Sequence, residues 1–118
     1  MKIFVYGSLK KNKKLHHFLS SSVFVSNAST CYKYPMILSK NGWYPYLLSV
    51  KNKGYYVKGE VYEIDYKTLK KLDRLEEVPH YYKRKKICVK INNKKLLVWC
   101  YFFSKKKKYR KKDLLKEF

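Results

Sequence analysis

Two short segments of this chain carry residue types from which a reaction centre can be built: Tyr6-Gly7-Ser8-Leu9-Lys10 and Glu76. The first directly follows an apolar run, Ile3-Phe4-Val5. A glycine ending a buried strand permits a tight turn, after which the N–H groups of Gly7, Ser8 and Leu9 can converge on one concavity and hold an anion such as a carboxylate. The same residues also suit a strand-ending turn that binds nothing. The second segment is a helical pattern. At about 100° per residue, Leu69, Leu72 and Leu75 form an apolar stripe. Glu76 then lies about 40° from the stripe's centre and Glu77 about 140° away, toward solvent. A half-buried carboxylate at a helix C-terminus is disfavoured as an anion by desolvation and by the helix dipole. Its pKa should rise, as a general base working near neutral pH requires. The competing reading is a carboxylate paired with one of the many lysines, or a frayed end that escapes to water.

Other candidates carry less. Ser8 has no Asp or His partner at a recognisable spacing, and His16, His17 and His80 form no metal pattern. There is no P-loop or dinucleotide fingerprint. The adjacent Tyr81-Tyr82 pair reads first as packing.

The elements that must position these residues follow from periodicity. Lys2–Tyr6 is a short strand, Lys14–Ser20 suits a helix, and Val23–Tyr34 is a long or broken strand ending before Pro35. Trp43–Val50 is extended and interrupted by Pro45, and Val57–Ile64 is a strand. Asp65 is a helix N-cap for Tyr66 to about Glu77, with Pro79 as the stop. Lys86–Ile91 and Lys95–Phe103 flank Asn92-Asn93 and predict a hairpin. The second of these strands is apolar on both faces, as a central or barrel-closing strand would be. The fold class is α+β: a small mixed β-barrel flanked by two or three short helices. Residues 1–104 form the domain, and residues 105–118 a basic, solvated tail with a short helix over Asp113–Phe118.

Length and composition bound the rest. A chain of 118 residues predicts one domain, and 46% hydrophobic with 18% aromatic residues supplies a core despite a net charge of +21. No apolar run approaches the about 18–20 residues of a membrane helix, and the N-terminus lacks a signal-peptide core. The expectation is a soluble cytoplasmic protein, a monomer by preference. Cys31, Cys88 and Cys100 are read as free thiols, with neither a zinc site nor a disulfide framework. The positive charge is nearly all lysine, with only Arg74, Arg84 and Arg110 as arginines, and a single alanine, Ala28, stands in the chain. Enrichment in residues with AT-rich codons explains this as compositional drift, in which case lysines should spread over all faces and not line the pocket. The rival explanation is non-specific binding of polyanions, RNA or DNA, through the lysine surface.

The ordered blocks Ile3–Lys10, Tyr34-Pro35, Tyr44–Leu48, Val57–Asp65, Leu72–Glu76 and Pro79–Arg84 resemble the gamma-glutamylcyclotransferase-like family, in particular its gamma-glutamylaminecyclotransferase branch. The resemblance runs from about residue 2 to residue 103. It implies a barrel-centred α+β fold in which Tyr6, Gly7, Ser8 and Leu9, with Tyr82, bind a small γ-glutamyl substrate. It makes Glu76 the acid/base of an intramolecular cyclisation to 5-oxoproline, with no metal and no cofactor. Asn12 stands where relatives often carry glycine, and Leu15 where they often carry a small polar residue; both departures concern the pocket rim. The alternative is a non-catalytic member of the fold that binds polyanions.

Overall fold

The computed structural model describes residues 1–118. Seven strands and one helix follow in the order β1 (Lys2–Val5), β2 (Val23–Tyr34), β3 (Met36–Leu38), β4 (Pro45–Leu47), β5 (Tyr55–Glu63), α1 (Tyr66–Leu75), β6 (Tyr82–Ile91) and β7 (Lys94–Phe103). Five strands close a barrel in the order β1-β5-β2-β6-β7, while β3 and β4 pair as a separate two-stranded sheet. Contacts are antiparallel except the β1–β7 closure, where Ile3 meets Trp99 in parallel.

Alternation along the strands divides the apolar residues between two layers. Phe4, Val57, Val61, Val89, Val98 and Phe102 fill the inner cluster. Ile3, Val5, Tyr62 and Tyr101 belong to a second cluster that also takes Leu69 and Leu72 from α1. The helix therefore packs on the barrel wall through the stripe its periodicity predicts. Asp65 caps it as expected, accepting from the Thr68 N–H at 2.7 Å.

Several elements differ from the sequence expectation. Lys14–Ser20 forms only one 3-10 turn, His16–Leu19, whose N-cap residue Leu15 makes no side-chain capping bond. This segment is held instead by Leu15 N–H on the Ser8 carbonyl (2.8 Å) and His16 Nδ1 on the Leu9 carbonyl (2.9 Å). β6 begins at Tyr82, four residues before the predicted start, because its basic Lys83–Lys86 run pairs register for register with apolar β7, from Tyr82↔Phe103 to Ile91↔Lys94. The turn at Asn92-Asn93 is as predicted, with Asn92 at φ 55°. The C-terminal helix is absent: a 3-10 turn spans Lys111–Asp113, and the following residues run extended along the barrel. There the Leu115 N–H donates to Met36 and the Lys58 N–H to Lys116, both at 2.9 Å. A pure charge count missed this because Leu115 and Phe118 add apolar surface to the inner cluster.

The cysteine expectation is also corrected. Cys31 on β2 and Cys88 on β6 form a disulfide across the adjacent strands, with Cα atoms 5.4 Å apart. Only the barrel closure brings these two together, since 57 residues separate them. Cys100 is free and buried, and burial pushes its thiol pKa up.

Candidate active site

The chain turns out of β1 through Tyr6 and Gly7. A Cβ on Gly7 would sit 2.8 Å from Pro45 Cγ and 2.9 Å from Cδ, so the glycine is required by the close approach of the Pro45 ring. The predicted need for a special turn conformation is not what selects it; Gly7 is not among the positive-φ residues. The Lys10 N–H closes the turn on the Gly7 carbonyl at 3.1 Å. No protein acceptor takes the N–H groups of Gly7, Ser8 or Leu9. Three successive donors are thus without a protein partner.

Helix α1 delivers the second part. Its end is a Schellman motif: the Glu77 N–H donates to Arg74 (3.2 Å) and the Val78 N–H to Asp73 (3.0 Å). Glu77 occupies the left-handed position, φ 51°, usually given to glycine. Glu76 is the C-cap, its N–H fixed on Leu72 at 2.8 Å. The helical wheel placed Glu76 on the buried side and Glu77 toward solvent, and both hold; what it did not give is the left-handed turn that brings Glu77 back to the cavity. The wheel assumes helical angles, and Glu77 leaves them. Glu77 is exposed but reaches the edge of the same cavity.

That cavity has a volume of about 500 Å³ and is mostly apolar. It brings together every predicted site residue: Tyr6, Gly7, Ser8, Leu9, Glu76 and Tyr82. Leu15, at the position of a predicted rim departure, also lines it. Glu76 has no hydrogen-bond or ion-pair partner in the protein. Burial alone pushes its carboxyl up to about 7. The phenols that sense its charge are Tyr6, Tyr82 and Tyr101. None is free to neutralise it. Tyr6 donates to the Tyr101 carbonyl at 2.7 Å, Tyr82 to the Pro45 carbonyl at 3.1 Å, and Tyr101 to Asp73 Oδ1 at 2.8 Å. Desolvation by their neighbours holds all three phenol pKa values above the usual range, so they stay protonated.

Sequence reasoning missed two further parts. Trp43, Tyr44, Pro45 and Tyr81 line the cavity from the far side, and Lys14 Nζ lies 4.0 Å from the Trp43 ring centroid at its mouth. Tyr81 hydroxyl contacts the Tyr44 hydroxyl at 2.9 Å and the Tyr46 hydroxyl at 2.7 Å. Two hydrogen bonds join three hydroxyls, which leaves one O–H to donate outward. The signal was the tyrosine-rich composition, but only the fold shows which hydroxyls meet.

The profile of the family described as gamma-glutamyl cyclotransferase, AIG2-like, matches residues 3–117, well past the expected limit at residue 103. A protein of Methanocaldococcus jannaschii, named as a candidate gamma-glutamylcyclotransferase, is 40% identical over 102 residues, covering 85% of this chain and 82% of its own. Gamma-glutamylaminecyclotransferase A of Danio rerio is 38% identical over 94 residues, covering 75% of this chain and 58% of its own. The crystal structure of an AIG2-like protein from Mus musculus superimposes with a TM-score of 0.87 at 24% identity, covering 99% of this chain and 86% of that one. A profile match across nearly the whole length, on a barrel of the same architecture, places this chain in the gamma-glutamyl cyclotransferase, AIG2-like family.

Proposed function

We propose that the protein cyclises γ-glutamyl amines to 5-oxoproline with release of the amine. One observation carries the reading: Glu76, unpartnered and with its carboxyl pushed up to about 7, shares a single cavity with the free N–H groups of Gly7, Ser8 and Leu9. In this reading the loop amides hold the substrate α-carboxylate. The curled γ-glutamyl chain then presents its α-nitrogen to its own γ-carbonyl, and holding that conformer supplies the proximity term. Glu76 takes a proton from the α-ammonium. The freed nitrogen forms a bond to the γ-carbon, and the carbonyl oxygen becomes an oxyanion. The uncommitted O–H of the Tyr44–Tyr81–Tyr46 chain is the donor at hand for it. As the oxyanion collapses, the bond from the γ-carbon to the amine nitrogen breaks, and the carboxylic acid of Glu76 returns its proton to that leaving nitrogen. The carboxylate then takes the second proton from the ring nitrogen, leaving the neutral lactam, and passes it to the amine, which departs as an ammonium ion. Tyr82 holds the Pro45 carbonyl and so shapes the wall beside the loop. No step calls for a metal or a cofactor.

The name of the zebrafish relative supports an amine as leaving group, with γ-glutamyl-ε-lysine as the first candidate substrate. The test is incubation with a panel of γ-glutamyl amines and γ-glutamyl amino acids, following 5-oxoproline by mass spectrometry. Product from an amine, abolished in Glu76→Gln, is the expected result. Turnover of γ-glutamyl amino acids alone would overturn the amine specificity, and no product from any member would overturn the reaction.

A further inference from the structure

The charge of this chain is not evenly spread. Residues 78–112 hold 14 of the 29 lysines and arginines and none of the eight acids, whereas residues 1–77 hold 14 cations beside six acids. Drift accounts for the lysines in general but not for this acid-free concentration along the sequence; the cavity, as expected, is not lysine-lined, with Lys14 the one lysine in its lining. The segment is one structural unit. β6 and β7 are neighbouring barrel strands in continuous register over ten residues each, a wall about 33 Å long. Residues 105–112 leave from the Phe103 end of that wall, and Lys107 Nζ lies 5.4 Å from the Tyr46 ring, so this run lies back on the body.

Within the unit, both arginines are spoken for: Arg84 pairs with Asp73 and Arg110 with Asp113. All twelve lysines are exposed, and none has a carboxylate within ion-pair distance. Alternation sets Lys86, Lys90 and Lys95 on the outer face with Trp99. Lys83 and Lys85 share the parity of Ile87 and Val89 and emerge at the hairpin's base, Lys85 Nζ 2.7 Å from Ser49 Oγ, and Lys105–Lys108 continue from the same end. So many unpaired like charges on one hairpin and its extension repel one another, a cost that a bound polyanion removes by releasing its own counterions.

We infer that the outer wall formed by β6, β7 and residues 105–112 binds the phosphate backbone of nucleic acid without regard to sequence. A linear polyanion fits because Lys86, Lys90 and Lys95 follow one another along the outer face and Lys105–Lys108 extend the series, whereas a small anion would engage only one or two of these charges. A lipid surface fits poorly. The hairpin tip is Asn92-Asn93 between lysines, and Leu97 is the only strongly exposed large apolar residue on these two strands, at 72%. Lysine heads without free arginines supply backbone attraction and little base reading. This inference stands apart from the cavity chemistry.

The test uses the whole chain, a fluorescein-labelled 20-mer of deoxythymidine and anisotropy titrations between 50 and 200 mM salt. Two variants each remove four charges: Lys86, Lys90, Lys95 and Lys105 to Gln on the proposed surface, and Lys2, Lys67, Lys70 and Lys71 to Gln elsewhere. Circular dichroism checks that both fold. The wall variant is expected to lose at least about tenfold in affinity and to flatten the log–log salt slope by about 2–3, at about 0.7 per phosphate contact. The control variant should lose less than about threefold. Equal losses in the two variants would show that net charge alone is responsible, and would overturn the inference. So would the absence of salt-dependent binding, or tighter binding to phosphatidylserine vesicles than to the oligonucleotide.

Discussion

Asp73 and Glu76 stand about one turn apart at the end of α1, both half-buried between the helix and the barrel, and their surroundings are opposite. Asp73 accepts from Arg84 Nε at 2.8 Å, Arg84 Nη2 at 3.0 Å and the Tyr101 hydroxyl at 2.8 Å. Glu76 accepts from nothing, though Tyr6, Tyr82 and Tyr101 lie near enough to feel its charge. The donors that could have satisfied it are each turned to another acceptor. One carboxylate ties helix to barrel through a forked, charge-assisted contact. The other, in the proposed reaction, passes a proton. Similar burial thus yields a paired anchor or an unpartnered carboxyl according to where the neighbouring donors point.

The largest expected effect separates the two carboxylates by chemistry. Glu76→Gln keeps the volume but cannot accept a proton, and its turnover should fall by about 10²–10⁴-fold, or about 2.7–5.4 kcal/mol in barrier. In the parent, steady-state rates against pH should show a lower limb near 7, which the variant lacks. A variant with parental turnover would remove Glu76 from the reaction and erase the contrast with Asp73.

Stability should move the other way. The folded-state pKa of Glu76, about 7, lies above its ordinary value of 4.5. Its contribution to stability is then fully present below about pH 4.5 and is lost as pH rises through about 7. At about 1.36 kcal/mol per pH unit, that gap amounts to about 3 kcal/mol. Urea melts of Glu76→Gln and parent should coincide at pH 4 and separate at pH 8, with the variant more stable. Coincidence at both pH values would mean that the folded protein does not disfavour the ionised form.

Asp73→Ala should do the reverse of Glu76→Gln. It strands the Arg84 guanidinium and the Tyr101 hydroxyl, and denaturant midpoints should report a loss of about 2 kcal/mol. The smallest effect belongs to Glu77. Glycine in its left-handed position should stabilise the fold by up to about 1 kcal/mol, read from the same melts. Glu77→Gln should leave turnover close to the parent's, because this side chain only borders the cavity mouth. A large loss in Glu77→Gln would shift the base from Glu76 to its neighbour.

Local pattern alone determined a good part of this protein. The apolar stripe of α1 and the Asp65 cap were legible because side-chain periodicity and capping act over a few residues. Val23–Tyr34 and the Asn92-Asn93 hairpin were legible for the same reason, and the ordered blocks around Tyr6–Leu9 and Glu76 pointed to the family. What local pattern could not decide depends on partners distant in the chain. Lys83–Lys86 becomes strand because β7 offers it backbone partners, and Leu115 and Phe118 dock because the barrel leaves apolar surface beneath them. Cys31 meets Cys88 only once the barrel closes. Gly7 is needed because Pro45, from another sheet, presses against it. Most of all, composition could supply a carboxylate and a wealth of tyrosines, but tertiary structure alone set which hydroxyl faces which acceptor. A hydrogen bond is directional and short, so that allocation follows from three-dimensional placement, and it is what leaves Glu76 alone.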